Sequence, residues 1–448
     1  MYKIKNLSAT EISKCYLNGT LNPLVVTEYF LEKIYKSSKD KKKIFVNITA
    51  ERALNEAYKS KKRYSSQNIK SNFDGIPCAW KDLVDFRGVP AFGGSSSLKD
   101  RKASEDAKVI KIADKAGIIC LGKTSTVEFA LGGIGTNKFN PTPNNILLID
   151  KKRAPGGSSV GSAAAVFAGL TPISIGTDTG GSVRIPSAWH GLIGFKPSFG
   201  KIPTKGVLAL SKSLDTIGPI AKDSDDILSM YKILSKEKIN IINYQLKNIT
   251  IAVCKNIVWD NIGDEDKYIY EEQFKKIKKK RKNIIYKEFP EITSIHNDNK
   301  KESLVVWEAW NEWKHIISEK KAIIDPNVLE RMYIGKNMNS DQVDKIKKSI
   351  EVNRAKFKKS MLNIDALIMP TVPIDPPTIE ELNSRKTYSY LNSLALRNTR
   401  ISNFLDLPSI TIPLQHHSNK TKGLLISCSS GNDYKTINIA KILEKIIN

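Results

Sequence analysis

The 448-residue sequence predicts an α/β protein, a single large domain with a central mixed β-sheet flanked by helices. Stretches with strand and helix patterns alternate along the whole chain, and no linker or internal repeat divides it. Hydrophobic residues make up 40% of the chain and charged residues 26%, which is typical of a globular protein and too apolar for a disordered one. The longest small-apolar run, SAAAVFAGL, is too short to span a bilayer, so we expect no membrane segment.

The first 70 residues are predicted to form a helical N-terminal segment. A capping box begins its first helix, with Ser8 as the N-cap and Glu11 three residues later. Residues 24–35 and 50–64 repeat apolar side chains at the spacing of a helix with one buried face. No strand is predicted in this segment.

The segment from 74 to 222 is predicted to be the core that carries the chemistry. The run DGIPCAWKDLVDFRGVP is short, apolar and bounded by Gly and Pro, as in a strand, and it contains one lysine, Lys81. From 154 to 221 the chain is rich in Gly and Ser, and a loop at the start of this stretch leads into a helix. The core also has a predicted helix at 106–117 that Gly117 closes, strands at 118–124 and 171–176, and strand and turn signals in IGFKPSFGKIP and SLDTIGPIA.

The second half continues the alternation, with one stretch that stands apart. Residues 236–345 are the most charged and the least patterned, so we expect a variable segment there, an insertion that caps the substrate site. Residues 346–448 are expected to complete the core. The strands predicted in this half are 248–254, 283–290, 366–373, 409–414 and 423–429, and the helices are 303–323, 340–362, 387–405 and 433–448.

The cysteines and the net charge bear on location and partners. The five cysteines are far apart and form no CxxC pair, which favours free thiols in a reducing compartment over disulfides or a zinc site. The N-terminus lacks the apolar core of a signal peptide, so the cytoplasm is the expected location. The net charge is +25, yet only KKIKKKRK at 275–282 is densely basic. Because this run ends a helical pattern that begins near Asp264, we expect a solvated helix end rather than a nucleic-acid site.

The stretch GTDTGGSVR, from 176 to 184, places a hydroxyl, two glycines and two opposite charges close together. Gly180 and Gly181 allow the backbone to approach a bound group, and successive amides in such a turn converge on one point, as an oxyanion requires. The Ser182 hydroxyl would then lie where it can attack a carbonyl carbon. By itself the pattern also fits an ordinary Gly-Gly-Ser turn.

A serine nucleophile needs a base to accept its proton. None of the five histidines has a partner motif, and His190 is expected to be a core residue, so a Ser–His–Asp triad would require long-range assembly. Lys81 is the alternative, because burial lowers the pKa of a lysine and makes its neutral form available. The competing interpretation pairs Lys81 with Asp82 or another carboxylate. The cluster GGSSVGS at 156–162 offers hydroxyls that relay a proton between Ser182 and Lys81, or it simply begins a helix.

Three long motifs resemble the signature region of the amidase signature family of serine hydrolases. They are APGGSSVGSAAAVFAG, GTDTGGSVRIPSAWHGLIGFKPSFGKIP and SLDTIGPIA, and GIPCAWKDLVDFRGVPAFGGS is similar to the lysine segment of that family. The similarity is nearly continuous from 74 to 222 and resumes at IMPTVP and LRNTRISNFLDLPSITIP. One departure is Val160, where the family commonly has Gly or Ser. The resemblance implies the amidase signature fold and a serine amidohydrolase that needs neither a metal nor an organic cofactor.

The resemblance also implies a Ser–cis-Ser–Lys triad. Ser182 matches the nucleophile, Lys81 matches the base, and Ser158 matches the serine with a cis peptide bond that bridges them. The other positions that it implies are the oxyanion-hole amides of Thr179, Gly180, Gly181 and Ser182, the charged pair Asp178 and Arg184 around the turn, the supporting Ser159, and Leu131 and Gly132 as substrate-binding residues.

The family contains stand-alone amidases and the A subunit of the aspartyl/glutamyl-tRNA amidotransferase, which hydrolyses glutamine and passes ammonia to a partner enzyme. Ile185 in SVRIPSAW replaces a glutamine that is usual in that subunit, and LGGIGTNKFNP differs from its substrate loop. We therefore expect an amidase that hydrolyses a small carboxylic amide through an acyl-enzyme, and the alternative is the transamidase subunit. A third hypothesis is a basic scaffold that binds nucleic acid without catalysis. The sequence does not decide whether the protein forms a homo-oligomer or binds an amidotransferase partner subunit.

Overall fold

One mixed β-sheet organises the chain, as the alternation of patterns predicted. The computed structural model describes residues 4–237, 249–280, 283–300, 303–414 and 422–447. The strands in these ranges are β1 (Phe45–Ile48), β2 (Pro77–Lys81), β3 (Ile119–Thr124), β4 (Ile173–Asp178), β5 (Ile193–Lys196), β6 (Thr216–Ala221), β7 (Ile251–Cys254), β8 (Ile284–Lys287), β9 (Ala366–Pro370), β10 (Ser409–Leu414) and β11 (Lys422–Ser427). They form one 11-stranded sheet in the order β1-β3-β2-β4-β6-β5-β10-β11-β9-β7-β8.

Helices flank this sheet. In the described ranges they are α1 (Ala9–Leu17), α2 (Pro23–Tyr35), α3 (Ala50–Ser65), α4 (Lys108–Ala116), α5 (Val160–Phe167), α6 (Arg184–Trp189), α7 (Ser224–Ser235), α8 (Asp264–Lys280), α9 (Pro290–Asp298), α10 (Leu304–Lys320), α11 (Pro326–Lys336), α12 (Ser340–Ser360), α13 (Arg385–Phe404) and α14 (Asp433–Ile447). None of these helices combines the length and the apolar character that crossing a bilayer requires.

The ends of the first helices follow from their local sequence. The Ser8 hydroxyl accepts the Glu11 amide at 3.1 Å and the Glu11 carboxylate accepts the Ser8 amide at 2.8 Å, which confirms the predicted capping box of α1. Gly117 ends α4 with φ +83°, a left-handed conformation that favours glycine. The helical prediction for the first 70 residues was wrong at one point. Phe45–Ile48 form β1, which pairs antiparallel with β3 at the sheet edge, and a run of four residues is too short for periodicity to reveal.

The charged segment 236–345 contributes both strands to the sheet and helices that pack outside it. Residues 238–248, 281–282 and 301–302 of this segment lie outside the described residues. Its strands β7 and β8 pair in parallel, and β7 pairs with β9, so they extend the common sheet. Its helices α10 and α11 pack against each other, and α11 packs against α13. The role of segment 236–345 as a cap over the substrate site stays a prediction.

The basic run at 275–282 falls at the end of α8, except for residues 281 and 282, which lie outside the described residues. Helix α8 begins with Asp264, Glu265 and Asp266 and ends with three consecutive lysines. Five of the six described residues of the run are exposed, and Ile277 is buried. Acidic residues at the start and lysines at the end both favour the helix dipole, so the run fits the predicted solvated helix end.

The two strands at the centre of the predicted core are parallel neighbours. Strand β2 pairs with β4 through Cys78 opposite Ile173 and Trp80 opposite Ile175. Every residue of both strands is buried, as expected for parallel strands that are covered on both faces. Their carboxyl ends therefore meet at one edge of the sheet, where open α/β sheets commonly bind ligands.

Candidate active site

Three loops meet where β2 and β4 end. Lys81 is the last residue of β2, and Asp178 is the last residue of β4, immediately before the GGS turn. Helix α5 packs on β2 and β4, and the loop that precedes it brings Ser158 and Ser159 to the same place. Residues that are distant in the chain are therefore close in space, because parallel strands end on the same side of a sheet.

The structure brings Lys81 and Ser158 into direct contact. The Lys81 amine, which is fully buried, lies 2.7 Å from the Ser158 hydroxyl oxygen and 2.8 Å from the Thr177 hydroxyl oxygen. Burial lowers the pKa of Lys81 to about 7, although the carboxylates of Asp178 and Asp215 act in the opposite direction. A substantial fraction of the lysine is therefore neutral at pH 7 and able to accept a proton. Asp82 instead lies 2.9 Å from the Lys123 amine, so the predicted alternative partner of Lys81 is engaged elsewhere.

Ser158 is held in place through its backbone. The Gly157–Ser158 peptide bond is cis, as the resemblance implied. The Ser158 carbonyl accepts the Thr126 hydroxyl at 2.9 Å and the Val127 amide at 3.3 Å. These two bonds do not involve the Ser158 hydroxyl. Among the described residues, the hydroxyl forms a hydrogen bond with the Lys81 amine.

Ser159 joins the serine loop to the nucleophile turn. Its amide donates to the Ser182 carbonyl at 3.1 Å, and its hydroxyl donates to the Thr177 carbonyl at 3.2 Å. These bonds fix the two loops relative to each other. The hydroxyls of Ser158 and Ser182 form no direct hydrogen bond in the structure, and the Ser182 hydroxyl has no hydrogen-bond partner among the described residues.

A buried ion pair supports the turn from inside. The Asp178 carboxylate accepts the amides of Gly181 at 2.8 Å and Val183 at 3.1 Å, and the Arg184 guanidinium at 2.8 and 3.0 Å. Burial by itself raises the pKa of Asp178, but the charge and the hydrogen bonds of Arg184 outweigh it and hold that pKa well below the ordinary value. Asn403 of α13 donates a further bond to the carboxylate at 2.9 Å. The two charges therefore tether the Gly-Gly-Ser turn.

Glycine is required at position 181. Gly181 has φ +130°, which L side chains rarely adopt, and a Cβ atom there would lie 2.0 Å from the Thr399 hydroxyl oxygen. That hydroxyl donates to the Gly180 carbonyl at 2.7 Å, so α13 presses directly on the turn. The Gly181 amide is occupied by Asp178, whereas the amides of Thr179, Gly180 and Ser182 make no hydrogen bond within the described ranges.

A cavity opens in front of Ser182. It has about 430 Å³ of empty space, including the part that is open to solvent. Thr179, Gly180 and Ser182 line one side, and Leu131 and Gly132, which the sequence suggested for substrate binding, line another. Because part of this volume is open solvent, the enclosed space is small and suits a ligand of only a few non-hydrogen atoms.

His190 lies in the core and is not among the residues that line the cavity. His190 is buried, its Nδ1 atom lies 2.9 Å from the Pro186 carbonyl oxygen, and burial lowers its pKa to about 4. It therefore fits the predicted core position. Within the ranges that the structure describes, no group of three or more His, Cys, Asp or Glu side chains is arranged to hold a metal ion.

Several residues of the site were not found from the sequence. Thr177 shares the Lys81 amine with Ser158, and Asn403 and Thr399 bring α13 to the turn. Arg331 of α11 and Arg400 of α13 line the cavity with Ser182. The one signal that pointed to the region of Arg400 was the similarity of LRNTRISNFLDLPSITIP to the amidase signature family, which singled out the stretch but not the residue.

The fold and the site define an enzyme of the class that hydrolyses carbon–nitrogen bonds. A sequence profile of the amidase family matches residues 25–436, and the chain therefore belongs to the amidase family. The chain is 28% identical to 2-amino-5-chloromuconic acid deaminase of Comamonas testosteroni over 378 residues, which cover 83% of this chain and 82% of the deaminase.

Two further comparisons extend over almost the whole chain. The A subunit of the glutamyl-tRNA(Gln) amidotransferase of Sulfolobus acidocaldarius is 28% identical over 485 residues, which cover 96% of each chain. A crystal structure of an amidase superposes with a TM-score of 0.88 at 25% identity and covers 99% of this chain and 100% of that one. The single α/β domain predicted from the sequence is thus shared with solved amidases.

Proposed function

We propose that this protein is an amidase that hydrolyses a small carboxylic amide to an acid and ammonia or an amine, with Lys81, Ser158 and Ser182 as its triad. The observation that carries the proposal is the contact of 2.7 Å between the buried Lys81 amine and the Ser158 hydroxyl. A lysine whose pKa is lowered to about 7 by burial can act as a base near neutral pH. The scattered cysteines, all free thiols, fit a reaction in the cytoplasm.

In the proposed reaction, neutral Lys81 accepts a proton from Ser158 as Ser158 accepts one from Ser182. The Ser182 oxygen attacks the amide carbon, and the relay then returns a proton to the leaving nitrogen as the C–N bond breaks. Water, deprotonated by the same relay, attacks the resulting ester and releases the acid, which restores Ser182. The Ser158–Ser182 hydrogen bond forms when substrate is bound, since catalytic hydrogen bonds commonly tighten in the substrate complex.

The oxyanion of the tetrahedral intermediate is assigned to the amides of the turn. Thr179, Gly180 and Ser182 line the cavity, and their backbone N–H groups have no hydrogen-bond partner among the described residues. The Gly181 amide donates to Asp178, so we assign it to positioning rather than to the oxyanion hole. Preorganised donors of this kind lower the barrier because they need no reorganisation when the charge develops.

Covalent labelling tests the proposal. The protein is incubated with a fluorophosphonate, and ammonia release is measured over a panel of simple amides that includes glutamine and asparagine. We expect stoichiometric modification of Ser182, mapped by peptide mass spectrometry, and loss of amide hydrolysis in proportion to it. Modification elsewhere, or salt-sensitive RNA binding without any labelling, would instead favour the basic scaffold.

The pH dependence of hydrolysis gives a second test. Protonated Lys81 cannot accept a proton, so kcat/KM should rise as the pH increases through about 7, the lowered pKa of this lysine, and level off above it. Below that pKa the rate should fall about ten-fold per pH unit. The rate is measured with one amide across the acid and neutral range.

Asp215 provides the control for this profile. Burial raises the pKa of Asp215 to about 6, so its own titration falls close to the same range. Its charge also raises the pKa of Lys81. The Asp215→Asn variant should therefore still lose activity at acid pH, and the midpoint of this loss (the acid limb of the profile) should lie at a lower pH than in the wild-type protein. Disappearance of the limb in this variant would assign it to Asp215 and contradict the role of Lys81.

The second candidate function is the glutamine-hydrolysing A subunit of the transamidase. The 96% coverage in the comparison with that subunit favours it, whereas Ile185, which is fully buried beside the turn, stands where the subunit usually has glutamine. A glutaminase activity that a partner protein stimulates would support this candidate. The panel of amides described above separates the two.

A further inference from the structure

Two arginines that the proposed triad does not use line the same cavity as Ser182. Arg331 comes from α11 and Arg400 from α13, and these helices pack against each other. Both residues are half-buried. Guanidinium nitrogens are rarely taken out of water unless they are paired with an acceptor, so the environment of these two groups requires an explanation.

These guanidinium groups have hydrogen-bond donors without partners. Nη1 of Arg331, and Nε and Nη2 of Arg400, are inaccessible to solvent and donate to nothing among the described residues. The bond that Arg400 does form is from Nη1 to the Asn299 carbonyl, at 3.3 Å. In the described part of the chain neither arginine forms an ion pair. Buried donors are almost always satisfied in native proteins, which indicates that an acceptor is supplied from outside.

The electrostatics of the cavity point the same way. Burial lowers the pKa of Arg331, and burial together with the charges of Arg331 and Arg397 lowers that of Arg400 to about 10. Both groups are still cationic at neutral pH, and they repel each other. An anion between them relieves both the repulsion and the missing hydrogen bonds.

No acidic side chain lines the cavity in the described part of the chain. Asp215, which lies behind the turn, accepts the Thr179 hydroxyl and the amides of Leu210 and Ser211. Glu308 accepts the hydroxyls of Ser211 and Ser213. Among the described residues, the cavity therefore offers two cations to a ligand and no carboxylate that would receive an ammonium group.

We propose that the substrate is a small amide that carries a carboxylate and no ammonium group, and that Arg331 and Arg400 bind this carboxylate while Ser182 attacks the amide. The half-amide of a short dicarboxylic acid has this chemistry, and its size suits the cavity. This inference rests on the proposed amidase function. Glutamine has the carboxylate, but it also brings an ammonium group, and no carboxylate among the described residues of the cavity lining pairs with it.

Three amides of equal chain length test the inference. Glutaramate carries a carboxylate, pentanamide has a methyl group in its place, and glutamine adds an ammonium group to glutaramate. We expect kcat/KM for glutaramate to exceed that for pentanamide by about 100-fold or more, because a site built for a charged group strongly rejects an analogue that leaves its donors unpaired. Glutamine should be hydrolysed less efficiently than glutaramate.

Substitution of the arginines identifies the residues responsible. Arg331→Gln and Arg400→Gln should each reduce the ratio of kcat/KM for glutaramate over pentanamide by at least about ten-fold. Arg385→Gln is the matched control, since it removes the same charge from the exposed first residue of α13. It should leave the ratio unchanged. Arg331→Lys and Arg400→Lys should keep part of the preference, which guards against a loss through misfolding.

A binding measurement that needs no turnover completes the test. Glutarate should protect Ser182 of the wild-type protein from fluorophosphonate, and this protection should weaken in Arg331→Gln and Arg400→Gln. Equal hydrolysis of glutaramate and pentanamide, or a preference that survives both substitutions, would overturn the inference and leave the amidase proposal intact. Absence of both labelling and hydrolysis in the wild-type protein would overturn the amidase proposal itself.

Discussion

Replacing Ser182 with alanine is expected to reduce kcat for amide hydrolysis by about 10⁴-fold or more, because removing a nucleophile leaves only the catalysis that binding and the oxyanion hole provide. Folding should not change, since the Ser182 hydroxyl has no hydrogen-bond partner among the described residues. Steady-state ammonia release measures the first effect and thermal unfolding measures the second. Ser187→Ala, which removes a buried hydroxyl from the adjacent helix α6, is the matched control and should stay active.

A double-variant comparison extends this prediction to the base. Lys81→Met should lower kcat by a similar factor, and the Ser182→Ala, Lys81→Met double variant should be no slower than either single one, because residues that act as one unit are strongly non-additive. If the factor by which kcat falls in the double variant equalled the product of the two single factors, Lys81 and Ser182 would act independently. That result would contradict the relay through Ser158.

Asp178→Asn is expected to have the second largest effect, on stability and on activity together. It leaves the Arg184 guanidinium buried without its counter-charge, and breaking such a pair by removing one partner typically costs about 3–5 kcal/mol. It also replaces one acceptor of the turn amides with a donor. We expect a clear fall in the free energy of unfolding, measured with denaturant, and a loss of kcat of about 100-fold, because the oxyanion donors lose their support.

Two further variants separate the two effects. Asp74, which is buried just before β2 begins and forms an ion pair with Arg63, lies at the other end of that strand from Lys81. Asp74→Asn should therefore lower stability while the labelling of Ser182 persists. Asp178→Asn combined with Arg184→Met removes both charges and should recover part of the stability without recovering activity. Recovery of activity in this double variant would show that the ion pair does not position the turn.

The chemistry at the turn was visible in the sequence because its parts are local. Asp178, Ser182 and Arg184 lie within seven consecutive residues, so the sequence alone places them close to one another. Lys81 stood out as a single lysine within an apolar run, and the pairing of β2 with β4 explains why it lies beside that turn. The fold class followed from alternating periodicity, which depends on burial along each element and needs no knowledge of its neighbours.

Contacts between distant segments were decided by the tertiary structure alone. The strand order, the short edge strand β1 and the inclusion of β7 and β8 in the sheet have no signature in local pattern, because strand pairing depends on partners far along the chain. Arg331 and Arg400 resemble the many other basic residues of a chain with net charge +25. The packing of α11 on α13 shows that these two arginines line the cavity of Ser182 and that some of their donors are removed from water. Loss of contact with water distinguishes a binding arginine from a surface arginine. It depends on the folded surroundings of the side chain and therefore cannot be read from the sequence.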